Sequence, residues 1–242
     1  MLKSDRLGFP VASSGFSILE MAIVMVIVAT LLGGLLVSIS QTQEINNRTD
    51  ADNTLEEIKE ALYGFAQANG RLPCPATTTS IGAEAPLGGG ACTQRFGFVP
   101  WSTLGLSGAI NTDNLLMDSW LSPYRYSVTN QNGNAFTTAG QMSTVSMAAL
   151  TPNLRICDSN TCATVLFDSA PAVILSLGAD WATFTSADEV ENSGEATVNG
   201  YRQANNNDFV SSGYIEDTFD DIITWISPSI LYTKMIAAGQ LP

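Results

Sequence analysis

Chemistry in this chain has to be built from carboxylates and thiols, because its 242 residues include no histidine. Histidine is the commonest general base near neutral pH and a usual ligand for zinc and copper. Ser-His-Asp and Cys-His nucleophilic machinery therefore cannot be assembled from this chain alone. Three sets of residues remain. Glu20 is a lone acid at the front edge of an apolar run, with no charged residue from Met21 to Gln43. Four cysteines stand at 74, 92, 157 and 162, without a CxxC. Acids gather late, from Asp180 through Asp188, Glu189, Glu191, Glu195 and Asp208 to the adjacent Asp220 and Asp221. A carboxylate facing hydrocarbon is costly and usually has a partner or a function. The neighbours Asp220 and Asp221 are poorly suited to paired-carboxylate catalysis, because adjacent helical side chains point about 100° apart.

The four cysteines allow three connectivities. Cys74–Cys92 and Cys157–Cys162 are the expected bridges, since each pair brackets a short loop rich in turn residues. Four buried free thiols are the alternative. Composition is that of a globular protein, 45% hydrophobic and 8% aromatic, so a core can form. The formal net charge is -13. Without residues 1–15 the chain carries 8 basic and 22 acidic side chains, a net of -14. Such a surface repels phosphate backbones, and no nucleic acid partner is expected.

The elements that must position these residues begin with a basic leader, "MLKSDRLGFPVASSG". The apolar run after it is long enough for a membrane-spanning helix, which needs about 20 such residues. The basic leader and the acidic remainder orient the chain with its amino end inside. The helix is expected to continue in water as a stem. Leu55, Ile58, Leu62, Phe65 and Ala66 form one apolar stripe at three- and four-residue steps, and Gly70 and Pro73 end it. The polar stretch 46–53 reads as a hinge or a fresh start, with Thr54 and Glu57 in capping-box spacing. Residues 73–110 read as a long irregular loop in which Phe98 and Trp101 are core plugs rather than contact residues.

"YRYSVTN", "TVSMAAL", "NLRIC", "CATVLF" and "PAVILSLG" read as strands of a small antiparallel meander packed on the stem, with "CDSNTC" as a hairpin tip. Residues 187–213 read as a polar, acidic loop. "TFDDIITWI" is expected to be a helix capped by Thr218 and Asp221, and Ser227-Pro228 starts a second short helix. The fold class is therefore α+β: a long N-terminal transmembrane helix continuing into a stem helix, a small antiparallel sheet, irregular loops and short C-terminal helices.

"G-F-S-I-L-E", Gly15 to Glu20, resembles the class III signal of type IV pilins and type II secretion pseudopilins. The resemblance implies cleavage by prepilin peptidase between Gly15 and Phe16, methylation of Phe16, and assembly through Glu20. In that family the acid pairs with the new amino terminus of a neighbouring subunit. The implied partners are the peptidase, other pilin or pseudopilin subunits and the bacterial inner membrane. The implied location is single-pass in that membrane, with a periplasmic C-terminal domain. The domain map that follows is 1–15 leader, 16–40 transmembrane and assembly helix, 41–72 stem helix and 73–242 periplasmic pilin-like domain.

"DSWLSPYRYSV", "LSLGAD" and "DDIITW" together resemble the major pseudopilin of the type II secretion system. That resemblance implies Ca2+ held by Asp180, Asp220 and Asp221, although nearly forty residues intervene here where the family has a short glycine-rich gap. Asp188, Glu189, Glu191, Glu195 and Asp208 are candidate substitutes within the gap. The plainer reading is a helix N-terminus at 220–221 and a solvated acidic face. The function implied is a structural, minor subunit of a pilus or pseudopilus rather than an enzyme. A membrane-anchored periplasmic binding or adhesion module that never polymerises is the alternative.

Overall fold

The computed structural model describes residues 15, 17–184, 186–215 and 218–242, and within 32–40 it describes the backbone alone. Leader residues 1–14 and Phe16 lie outside the described residues. The chain divides into two compact units, Met1–Asn46 and Asn47–Pro242. Helix α1 (Ile18–Asn69) contributes to both.

In the first unit Ser17 caps the helix. Its hydroxyl accepts from Leu19 N at 3.3 Å, and its carbonyl accepts from Glu20 N at 3.0 Å and Met21 N at 3.1 Å. Glu20 lies in the first turn, where the helix dipole favours an acid. The expected transmembrane helix is corrected here. Among the described residues no helix is long and apolar enough to cross a membrane. The described apolar stretch from Ile18 to Leu31 rises roughly 20 Å, against roughly 30 Å of hydrocarbon. From Gln41 to Asn53 α1 is largely polar. The fold is mixed helix and sheet without that span.

In the second unit α1 lays one face on the core. Ala51, Leu55, Ile58, Leu62 and Ala66 are buried, and Phe65 is half-buried beneath the Arg71 guanidinium. The polar stretch 46–53 is helical throughout. Thr54 starts no new helix; its hydroxyl donates back to the Asp50 carbonyl at 2.8 Å. Gly70 ends α1 in a left-handed conformation, φ 66°.

Strands β1 (Phe96–Phe98), β2 (Arg125–Val128), β3 (Leu154–Cys157), β4 (Val165–Ala170), β5 (Ala172–Ser176), β6 (Ala196–Val198), β7 (Tyr201–Gln203), β8 (Asp208–Val210) and β9 (Ile222–Trp225) follow. Four of them form an antiparallel sheet in the order β1-β2-β5-β9. β3 pairs antiparallel with β4 and parallel with β8, so the sheet system is more than a meander. β6 and β7 form a separate hairpin.

β5 is buried along its whole length. Successive side chains point to opposite faces. Ala172 and Ile174 therefore join α1 in one core, and Val173 and Leu175 join Leu154, Ile156 and Phe209 in the other. Burying side chains of this kind stabilises the fold by roughly 1.5–3 kcal/mol each.

The remaining helices are short: α2 (Trp101–Leu104), α3 (Gln131–Asn134), α4 (Gln141–Thr144), α5 (Ala187–Ser193) and α6 (Pro228–Ala237). Several expectations change. "TVSMAAL" is no strand; it holds the end of α4 and a 3-10 turn at Met147–Ala149. The supposed loop 187–213 contains α5, β6, β7 and β8. "DDIITW" is strand β9 rather than a helix, because β-branched Ile222, Ile223 and Thr224 find a ladder partner in β5. Among the described residues the carboxyl end therefore has one helix, α6, with Pro228 in its first turn. Phe98 is buried with Ala76 and Leu115, and Trp101 packs against the α1 core. Disulfides join Cys74 to Cys92 and Cys157 to Cys162, the latter across the β3–β4 tip.

Candidate functional site

The antiparallel register Ser176↔Ile222 sets the trailing end of β5 beside the leading end of β9. This closes the gap of nearly forty residues. Residues just after β5 reach Asp180, and those just before β9 are Asp220 and Asp221. The intervening chain does not loop away; β8 pairs with β3, and α5 returns Glu189 to the same place. Asp180, Glu189 and Asp220 each bring a carboxylate oxygen within 4.8 Å of the other two.

Each acid is held from behind. Asp220 Oδ2 accepts from Ala179 N at 2.6 Å. Gly178 permits that approach: its φ is 62°, and a Cβ there would sit 2.0 Å from Asp220 Oδ1. Glu189 belongs to a capping box at the start of α5. Its N–H donates to Ser186 Oγ at 3.2 Å, and its Oε2 accepts from Ser186 N at 3.2 Å. Asp221 turns elsewhere. Its Oδ2 accepts from Asn192 Nδ2 at 2.7 Å, and it does not join the three-carboxylate group. Of the resemblance-implied ligands, then, the structure gathers Asp180 and Asp220, adds Glu189 and leaves Asp221 beside them. Of the other intervening acids, Glu195 is exposed and the rest have partners of their own. Asp208 pairs with Arg155, Glu191 accepts from Asn206, and Asp188 accepts from Asn160 N.

Burial sets the electrostatics. It pushes the Asp180 carboxyl up to about 7, with Asp220 and Glu189 adding repulsion. Burial also raises Asp220, and it raises Asp221 well above the usual carboxylate range. Oxygens Asp180 Oδ1, Asp220 Oδ1 and Asp221 Oδ1 are buried without a hydrogen-bond partner. Arg48 lies near but donates to the Asp220 backbone carbonyl at 2.9 Å, not to a carboxylate. Clustered acids with orphaned oxygens are destabilised until a cation or protons neutralise them. The donor set is all oxygen, which suits a hard cation such as calcium. The residues present fit that group. A second close set, Cys157, Cys162 and Asp208, offers no thiolate because its sulfurs form a disulfide.

Sequence reasoning passed over Asp118 as a site residue. Its Oδ1 accepts from Trp120 N at 2.9 Å and Ser122 N at 2.8 Å, and its Oδ2 from Ser176 Oγ at 2.5 Å. It thereby braces the end of β5, just before the acid cluster. The signal was local: an acid two residues before Trp120 and four before Ser122 is the spacing of an Asx turn.

At the amino end, Gly15 and Glu20 are exposed, and Phe16 lies outside the described residues. Large apolar side chains line the helix beside Glu20: Ile18 is 91% exposed, Leu19 70%, Met25 65% and Leu31 63%. No family model matches the chain, and no match was found among curated proteins or solved structures.

Proposed function

We propose that this chain is a structural, minor subunit of a type IV pilus or secretion pseudopilus, assembled through α1 after removal of residues 1–15. The observation that carries the reading is the helical stretch from Ile18 to Leu31. It follows Gly15, begins at a serine cap, holds one acid and leaves its large apolar side chains exposed. Exposed apolar surface of this extent requires cover. Sister helices in a filament core supply it, and a carboxylate buried among them requires a cation. Cleavage after Gly15 creates one, the α-ammonium of Phe16 on the adjacent subunit. The two disulfides suit a globular unit working in an oxidising compartment.

The reading includes a calcium ion held by Asp180, Glu189 and Asp220. When bound, calcium supplies positive charge and takes the oxygens that lack hydrogen bonds. The protein side of the arrangement is fixed by Gly178, the Ala179 N–H and the Ser186 cap. Calcium therefore joins the turn after β5, α5 and the entry to β9.

The test is mass spectrometry of the amino-terminal peptide from cells with and without prepilin peptidase. A peptide beginning at methylated Phe16, lost without the peptidase, supports the reading. An intact Met1 in both strains removes it. Glu20→Ala should abolish incorporation into filaments while leaving the protein folded. For the ion, calcium should raise the thermal midpoint and EGTA should reverse the rise, with both responses absent from Glu189→Gln.

A further inference from the structure

The sheet β1-β2-β5-β9 has two edges, and they are treated differently. The β1 edge is closed by Ala76, whose N–H donates to the Phe98 carbonyl at 2.8 Å and whose carbonyl accepts from Phe98 N at 3.0 Å. At β9, among the described residues, no strand pairs with the outer side. The direction of its main-chain groups follows from the next residue. Ile226 N donates to the Ala172 carbonyl at 2.9 Å, and directions alternate along an antiparallel ladder. Even-numbered residues therefore turn their N–H and C=O groups toward β5, while Ile223 and Trp225 turn theirs outward. Ser227 continues the outward series, and its N–H reaches the Tyr63 hydroxyl on α1 at 3.1 Å.

That outer side is an open groove of about 540 Å³. Ile222 faces the α1 core, whereas Ile223 and Trp225 face the other core. Ile223, Thr224 and Trp225 all line the groove, so both faces of β9 border it and it follows the free edge of the strand. Tyr63 from α1 and Ile230 from α6, 47% exposed, add apolar surface. Natural edge strands are blunted by a proline, a charge or a bulge. Ile222–Trp225 contains no proline and no charge, and its register with β5 runs without a shift.

Charge selects the occupant. A second copy brought edge to edge would join two bodies of net charge -13 and set two pairs of Glu56 and Glu60 around one groove. Lys59, the one cation among the lining residues, already pairs with Glu56, which leaves an acidic segment no counter-charge there. We propose that the free edge of β9 is a docking site for an extended segment of a cationic partner protein, bound as a fifth strand of the sheet. Main-chain bonds to Ile223 and Trp225 hold the segment, alternate apolar side chains lie against Trp225 and Ile230, and a Lys or Arg meets Glu56 or Glu60. The site lies wholly within residues 47–242 and does not depend on cleavage after Gly15 or on filament assembly.

The test presents a phage library of random heptapeptides to the full chain in detergent, with Ile223→Pro as the counter-selection target. Proline at 223 deletes an outward N–H and leaves the ladder with β5 in place. The expected result is enrichment of peptides that alternate apolar residues and carry Lys or Arg. A synthetic copy of an enriched peptide should slow hydrogen exchange at the Ile223 and Trp225 amides by about tenfold or more, and should bind Ile230→Asp about tenfold more weakly. No enrichment over Ile223→Pro, enrichment of acidic peptides, or a bound peptide that leaves both amides unprotected overturns the site. A dimer of the full chain that is lost in Ile223→Pro also overturns it, because the edge then belongs to a second copy. If Ile223→Pro does not fold, Ile230→Asp on the exposed side of α6 replaces it as the counter-selection target, and the same outcomes decide.

Discussion

Asp118 receives two N–H donors and a hydroxyl, all of which favour its charged form, yet burial outweighs them and pushes it up to about 6. The ordinary carboxylate titrates near 4 in an unfolded chain. A raised folded value means that the protonated acid favours the native state. Its contribution is full below pH 4 and is lost as pH rises to about 6. Two units correspond to roughly 3 kcal/mol. Asp118→Asn should therefore flatten the fall in unfolding free energy between pH 4 and 6, as measured by urea titration at each pH. An unchanged slope would show that another group carries it. At Gly178 the backbone is left-handed and a methyl would strike Asp220. Gly178→Ala should cost on the order of 1–3 kcal/mol and should also remove the calcium response, since it displaces a ligand. A variant that loses stability but keeps the full calcium response would separate the turn from the ion.

The elements differ in how openly the chain declares them. The stripe from Leu55 to Ala66, the stop at Gly70, the Ser227-Pro228 start and the cysteine pairing were legible because each depends on residues close in sequence, at most 18 positions apart in the Cys74–Cys92 bridge. β9 was not. Thr218 and Asp221 imitate a capping box, while the decisive fact is pairing of Ile222–Trp225 with β5, some fifty residues earlier. The site shows the same division. Asp180 and Asp220 could be named from short fragments, but the choice of Glu189 among five acids needed α5 folded back. Its Ser186–Glu189 cap was visible in the sequence and went unread. The disulfides allow a test at this scale. Replacing Cys74 and Cys92 by serine should cost about 3 kcal/mol, against about 2 for the shorter Cys157–Cys162 loop. Chemical denaturation of the two double variants would rank them, and a reversed order would show native-state strain dominating chain entropy.

At the scale of the molecule, the two units make opposite demands on solvent. Residues 47–242 bury their apolar faces in their own cores, whereas Ile18–Leu31 leaves its own uncovered. A chain cut to 47–242 should remain monomeric in light scattering at concentrations where the full chain self-associates. Self-association of the cut chain would move the contact surface out of α1. The position of β9 has a temporal consequence as well. It supplies Ile222 to the α1 core, and the residues after it add Ile226, Leu231 and Met235. Synthesis proceeds from the amino end, so this core stays open on one side until β9 and α6 have been made. During that interval the product is a substrate for chaperones and proteases. Quality control can thus distinguish a folded domain from an interrupted one by whether β9 and α6 have closed the α1 core.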